Sequence, residues 1–220
     1  NRSEINDLRA ENGRLKNAAD ETKQNETDGT LSVEEIRAKI AEADKNPTDA
    51  GFQRNLGLAL YRYGAMKQDA DLLSEIGRLL TRVYEKNPKD YDVLVTLGNI
   101  YFDIGYSKKD DAQFEKAREF YRQAQEQKSD DVEVLTDYGL TYFFVVPPDY
   151  EKSIAAFQKS LQINPKHEKT LQAMAETRLK QNKVAEAEKY VARLKAANAG
   201  NQALAQLESQ IAGIKGGTQN

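Results

Sequence analysis

Apolar positions recur along most of the chain at three-and-four spacing, the period of amphipathic helices, and nowhere alternate for long in the manner of a strand. Leu72, Ile76, Leu79, Leu80 and Val83 make one such stripe; Phe114, Ala117, Tyr121 and Ala124 make a second; Ile154, Phe157 and Leu161 make a third. Asn46-Pro47, Asn87-Pro88 and Asn164-Pro165 interrupt the pattern, with Ser129 in the equivalent place between the last two. Proline cannot continue a helix and disfavours helical geometry in the residue before it, so each stop marks a corner between helices. The pattern predicts a series of helix pairs.

The pairs repeat. Gly57, Gly98 and Gly139 stand 41 residues apart, as do Leu60, Tyr101 and Tyr142, and again Tyr61, Phe102 and Phe143. A fixed period of this size signals units that bury their apolar faces only by stacking on neighbours. The second unit, Leu94-x2-Leu97-Gly98-x2-Tyr101 followed by Ala117-x3-Tyr121-x2-Ala124, resembles the tetratricopeptide repeat. The third resembles it through Leu135, Tyr138, Gly139, Tyr142, Ser153, Phe157, Ser160 and Pro165. The first (Leu56, Gly57, Leu60, Ile76, Leu80, Val83, Pro88) fits less closely, and the fourth (Leu171, Met174, Ala175, Ala187, Val191, Leu194) has Arg178 where an aromatic is usual. The resemblance implies an all-α fold, a right-handed superhelix of tetratricopeptide-like helix pairs, over residues 48–199. Its four units are expected at about 50–88, 91–129, 132–165 and 168–199. Glycine after leucine lets two helices approach closely, with the small residues Ala117, Ser153 and Ala187 expected to receive the contact and the aromatics to fill the space between pairs.

The first two units exceed the family spacing by seven residues, close to two helical turns of about 3.6 residues each. A longer second helix absorbs such an insertion without turning its buried face, and Asp69/Asp71 and Asp110/Asp111 supply the acids that a helix start prefers; a longer loop is the alternative.

The ends read differently. Residues 31–47 form a degenerate half-repeat helix opened by the capping box Ser32-Val33-Glu34-Glu35. Residues 200–215 form a cap helix through Leu204, Leu207 and Ile211, and 216–220 a disordered tail. Residues 1–30 are read as a coiled-coil stem and polar linker: Ile5, Leu8, Asn12, Leu15 and Ala19 follow heptad-like spacing, and a buried Asn sets register in such coils. The stem is either the end of an oligomerising coil, continuing from a membrane anchor, or an isolated amphipathic helix.

Composition narrows the function. With 32 Lys/Arg against 35 Asp/Glu the chain lacks the basic excess of a nucleic-acid binder, and it has no cysteine for disulfides or thiolate chemistry. The single histidine, His167, sits in a turn, and no phosphate loop, nucleophile motif or calcium loop occurs. No catalytic or metal-binding residue and no cofactor is predicted. Paired acids such as Asp130-Asp131 fall at helix starts, where capping accounts for them.

In tetratricopeptide arrays the first helix of each pair lines a concave groove. By register, the groove residues implied here are Arg54, Leu58, Tyr61 and Arg62; Val95, Asn99, Phe102 and Asp103; Thr136, Leu140, Phe143 and Phe144; and Gln172, Glu176, Leu179 and Lys180. Leu58 and Phe102 interrupt the polar set with which some members grip chaperone C-termini, so an apolar or helical peptide is the expected ligand. The expectation is a non-catalytic protein-interaction scaffold or assembly factor; the alternative is a structural oligomerisation module whose groove is filled internally. Self-association through residues 1–20, membrane contact only through a segment outside this chain, and a place in the bacterial periplasm or at an envelope face, with the cytoplasm as the alternative, complete it.

Overall fold

The computed structural model describes residues 32–217. Among them lie ten α-helices and no strand. The coiled-coil stem, its linker and the end of the expected tail lie outside the described residues. The helices are α1 (Val33–Lys45), α2 (Ala50–Lys67), α3 (Ala70–Lys86), α4 (Tyr91–Lys108), α5 (Asp111–Gln127), α6 (Val132–Phe144), α7 (Tyr150–Ile163), α8 (Glu168–Lys180), α9 (Val184–Ala197) and α10 (Leu204–Gly217). The chain divides into two compact units, Asn1–Glu42 and Ala43–Asn220.

In the first unit α1 opens on the predicted capping box: the Glu35 N–H donates to Ser32 Oγ at 3.2 Å, and the Ser32 N–H donates to Glu35 Oε2 at 2.7 Å. In the second unit, aspartate caps six successive helices. Asp49, Asp69, Asp90, Asp110, Asp131 and Asp149 each accept from backbone N–H groups in the first turns of α2 to α7. The acids flagged in the sequence therefore serve helix initiation.

The seven-residue surplus is helical, but it is shared between both helices of a pair. α2 and α4 have 18 residues where α6 and α8 have 13, and α3 and α5 have 17 where α7 and α9 have 14. The longer first helices end in left-handed caps, Gln68 at φ 52° and Lys109 at φ 53°, immediately before the aspartate that starts the next helix. A left-handed conformation is unfavourable by roughly 1 kcal/mol for any residue with a Cβ. Lys109→Gly is therefore expected to raise stability by about 1 kcal/mol, measured as an increased urea midpoint with an unchanged slope.

Within pairs, glycine sets the approach, but aromatic and leucine side chains receive it rather than the small residues. A Cβ placed on Gly98 would lie 2.5 Å from the Tyr121 ring, one on Gly139 2.5 Å from the Phe157 ring, and one on Gly57 2.6 Å from Leu80. Tyr121 and Phe157 are fully buried, and the Tyr121 hydroxyl donates to Asn99 Oδ1 at 2.8 Å. Aromatics also join one pair to the next: Phe120 of α5 meets Tyr84 of α3 edge-on and stacks on Tyr101 of α4. At the far end α10 packs on α9 and α8, burying Leu204, Leu207 and Ile211, and runs on through Gly216 and Gly217, two residues into the expected tail.

Each first helix also packs on the next first helix: α2 on α4, α4 on α6, and α6 on α8. Their inward sides consequently form one continuous face.

Candidate functional site

On that face Phe102, Asp103 and Tyr106 of α4, Leu140 and Phe144 of α6, and Lys169, Gln172 and Glu176 of α8 line a cavity of about 660 Å³. A second cavity, about 680 Å³, adjoins it between Phe143, Leu179 and Lys180 on one side and Gln206, Gln210 and Ile214 of α10 on the other. Tyr106, Phe144 and Glu176 border both, so the two read as one groove running from α2 to α10.

Its wall is aromatic. Phe144 makes edge contacts with Phe102 (5.9 Å between centroids), Tyr106 (5.0 Å) and Phe143 (5.0 Å). From behind, the buried Phe114 supports Phe102 at 5.5 Å and so fixes the wall to the core. Tyr106 remains 59% exposed at the junction of the two cavities, a large aromatic that folding leaves uncovered.

Charge is concentrated beside that wall. Lys169 pairs with Asp137 at 2.6 Å and Glu133 at 3.3 Å. Glu133 also meets His167 Nε2 at 2.8 Å, while His167 Nδ1 lies 2.6 Å from Thr170 Oγ1, which makes the only histidine part of the α6–α8 contact. Burial pushes the Glu133 carboxyl upward, but the His167 hydrogen bond and Lys169 together outweigh it and hold the group below its usual range; burial raises Asp137. Among the described residues, the one hydrogen-bond partner of Asp103 is neutral, the Tyr61 hydroxyl at 3.1 Å. Burial pushes its carboxyl up to about 6, with Asp137 reinforcing the rise and the Tyr61 bond and Lys169 opposing it.

That shift has a direct consequence for stability. The folded chain holds a proton on Asp103 that an unfolded carboxyl, with an ordinary value of 3.8, has released. The stability this contributes is present at low pH and is lost as pH rises from about 4 through about 6. Asp103→Asn removes the buried charge and keeps a carbonyl for Tyr61. It is expected to raise stability by about 1–2 kcal/mol at neutral pH and by little at pH 4, which paired denaturation curves at the two pH values test.

Of the residues expected in the groove, Phe102, Asp103, Leu140, Phe143, Phe144, Glu176 and Lys180 line one or other cavity, as do Gln172 and Leu179. Thr136 does not: it is fully buried between α7 and α8, its hydroxyl 2.6 Å from that of Thr170 and 3.3 Å from that of Ser160. A short hydroxylated side chain at that register satisfies itself inside the inter-pair contact. Arg54 is held by Asp90 at 2.6 Å and Asp92 at 2.7 Å, Tyr61 by Asp103, and Asn99 by Tyr121, while Val95 packs on the core around Leu94. Leu58 is half-buried and Arg62 exposed, and neither borders either of these two cavities.

Tyr106, Lys169 and the α10 residues line the cavities but fall outside the groove positions that register implies. Tyr106 follows Phe102 by four positions, one helical turn, and was legible had the surplus residues been assigned to the first helix.

A family model described as tetratricopeptide repeat matches residues 149–211, and one described as Tetratricopeptide Repeats-Sensor matches residues 32–140. No curated protein matches the chain. Solved structures do. A tetratricopeptide repeat protein from Parabacteroides merdae aligns with TM-score 0.64 at 20% identity over 82% of this chain and 66% of that one. MamA aligns with TM-score 0.60 at 18% identity over 74% of this chain and 86% of that one. A thermophilic tetratricopeptide protein of Thermus thermophilus aligns with TM-score 0.58 at 15% identity over 81% and 88%. At such identities the likeness is one of fold.

Proposed function

Because the chain belongs to the tetratricopeptide-repeat family, whose fold generally mediates protein–protein interaction, we propose that it is a non-catalytic scaffold or assembly factor gripping a peptide segment of a partner protein in the groove between α2 and α10. One observation carries this reading: two adjoining cavities of about 660 and 680 Å³ share a wall of Phe144 and the exposed Tyr106. An aromatic surface of this kind supplies contact area to a ligand at a small cost in side-chain ordering. The preference is for an apolar or helical segment, since side chains three and four residues apart on a helix match the Phe102, Tyr106 and Phe144 wall.

Further parts of the same proposal rest on the heptad-like spacing of residues 1–20 and on the resemblance to bacterial envelope members of the family. Residues 1–20 self-associate, and an attachment outside this chain holds the scaffold at an envelope face. Deleting residues 1–30 is expected to lower the number of copies per sedimenting particle while leaving the urea midpoint of the helical array unchanged; an equal copy number would remove the self-association.

The groove itself is tested by selection from a displayed library of random peptides. The wild-type protein is expected to enrich a recurring apolar pattern, and a Tyr106→Ala/Phe144→Ala double variant that remains helical is expected to lose it. Enrichment undiminished on the double variant would move binding to another surface.

A further inference from the structure

Resting on that reading of the groove, the arrangement of charge points to the kind of segment it takes. We propose that Asp103 is the seat of a cationic side chain, lysine or arginine, carried by the bound peptide beside its apolar residues. Two carboxylates of the groove region are already matched: Asp137 and Glu133 share the Lys169 ammonium at 2.6 and 3.3 Å. The other acid in the first cavity, Glu176, accepts the Gln172 amide at 2.9 Å. Asp103 borders the same cavity and, among the described residues, has no cation in salt-bridge contact; its single hydrogen bond comes from the neutral Tyr61 hydroxyl. A half-buried carboxylate facing open space without a counter-charge is poorly stabilised until a ligand supplies one. The adjoining rings favour the same ligand, because Phe102, Tyr106 and Phe144 line the same cavity as that carboxylate, and aromatic faces attract cations. An acidic segment would meet Asp103 and Glu176 while Lys169 is occupied. A wholly apolar one would bury Asp103 further and leave it unpaired.

The groups facing Asp103 are Tyr61 from α2, Tyr121 from α5, Asp137 from α6 and Lys169 from α8. Burial raises both tyrosines above their ordinary range, so neither ionises near neutrality. Asp137 is also raised, which makes the Asp103→Asn variant the control that assigns a pH effect to Asp103.

The experiment pans a displayed random-peptide library on wild-type and Asp103→Asn protein at about pH 7.5. The best synthetic peptide is then titrated beside a copy in which norleucine replaces its lysine. The wild type is expected to enrich lysine or arginine next to apolar residues, and the variant to keep the apolar pattern without the cation. Norleucine is expected to weaken binding to the wild type about 10- to 100-fold and to leave the variant's affinity nearly unchanged. Wild-type affinity for the lysine peptide is expected to fall toward pH 5 as Asp103 takes a proton, with a flat profile for the variant. Enrichment of apolar peptides indifferent to Asp103, or of acidic ones, overturns the cation seat and leaves the groove reading standing. No enrichment on the wild type overturns both. Should Asp103→Asn fail to fold, Asp103→Ser carries the same norleucine comparison, and a loss on norleucine substitution that persists in it overturns the cation seat.

Discussion

Tyr121→Ala is expected to destabilise the array by about 3–5 kcal/mol, the range for emptying a fully buried aromatic site. The Tyr121 ring is 1% exposed, packs among Leu94, Ala117, Ala124 and Val134, and rests on Gly98. Its hydroxyl also bonds Asn99, the neighbour of that glycine, so the side chain ties the two helices of the second pair at one point. Tyr121→Phe keeps the ring and loses the hydrogen bond, and about 1 kcal/mol is expected for it. Urea unfolding of the two variants separates packing from hydrogen bonding. Equal losses would mean that the hydroxyl, and not the ring, holds the pair together.

Gly98→Leu attacks the same contact from the other side, with an expected loss of about 2–3 kcal/mol. Even the first added carbon would lie 2.5 Å from the Tyr121 ring, and that ring has no solvent side toward which to retreat. Helix propensity works in the opposite direction, since leucine is the better helix former by nearly 1 kcal/mol, so the net loss reports the packing conflict. Gly213 supplies the contrast. It also lies in a helix, but a Cβ there would meet nothing within 4 Å. Gly213→Ala is expected to stabilise by about 0.5–1 kcal/mol. A stabilised Gly98→Leu protein would remove the account of close approach at the Leu-Gly positions.

These contacts also explain what the sequence revealed. The helix pairs were legible because their determinants are local or periodic: apolar stripes, Asn-Pro stops and glycines at a fixed step. Which side chain receives each glycine was not, because Tyr121 and Ala117 both lie on the buried stripe of α5 and only the helix crossing decides between them. The groove was partly legible. Register from the Leu-Gly positions reached Phe102, Phe143 and Phe144 but carried Thr136 inside as well, where the hydroxyls of Ser160 and Thr170 satisfy it. Tyr106 was missed because the extra residues were assigned to the second helix alone, although the first helix gains its share of them before the left-handed cap at Lys109. Register also places Asp103 in the groove but does not reveal its peculiarity. Its uncompensated charge depends on Lys169 of α8 being taken by Asp137 and Glu133, a three-helix arrangement that local spacing does not disclose.

The central claim is that the concave aromatic wall is a binding surface held up by the core and is not itself core. Phe102→Ala tests it most directly, because Phe102 leans on the buried Phe114 with one side and borders the open cavity with the other. The measurement is a binding titration of wild-type and Phe102→Ala protein with a library-selected peptide, alongside urea unfolding of both. The account predicts a stability loss of about 1–2 kcal/mol, well short of the Tyr121→Ala loss, and affinity reduced by about tenfold or more. A stability loss equal to that of Tyr121→Ala, with unchanged affinity per folded molecule, would contradict it.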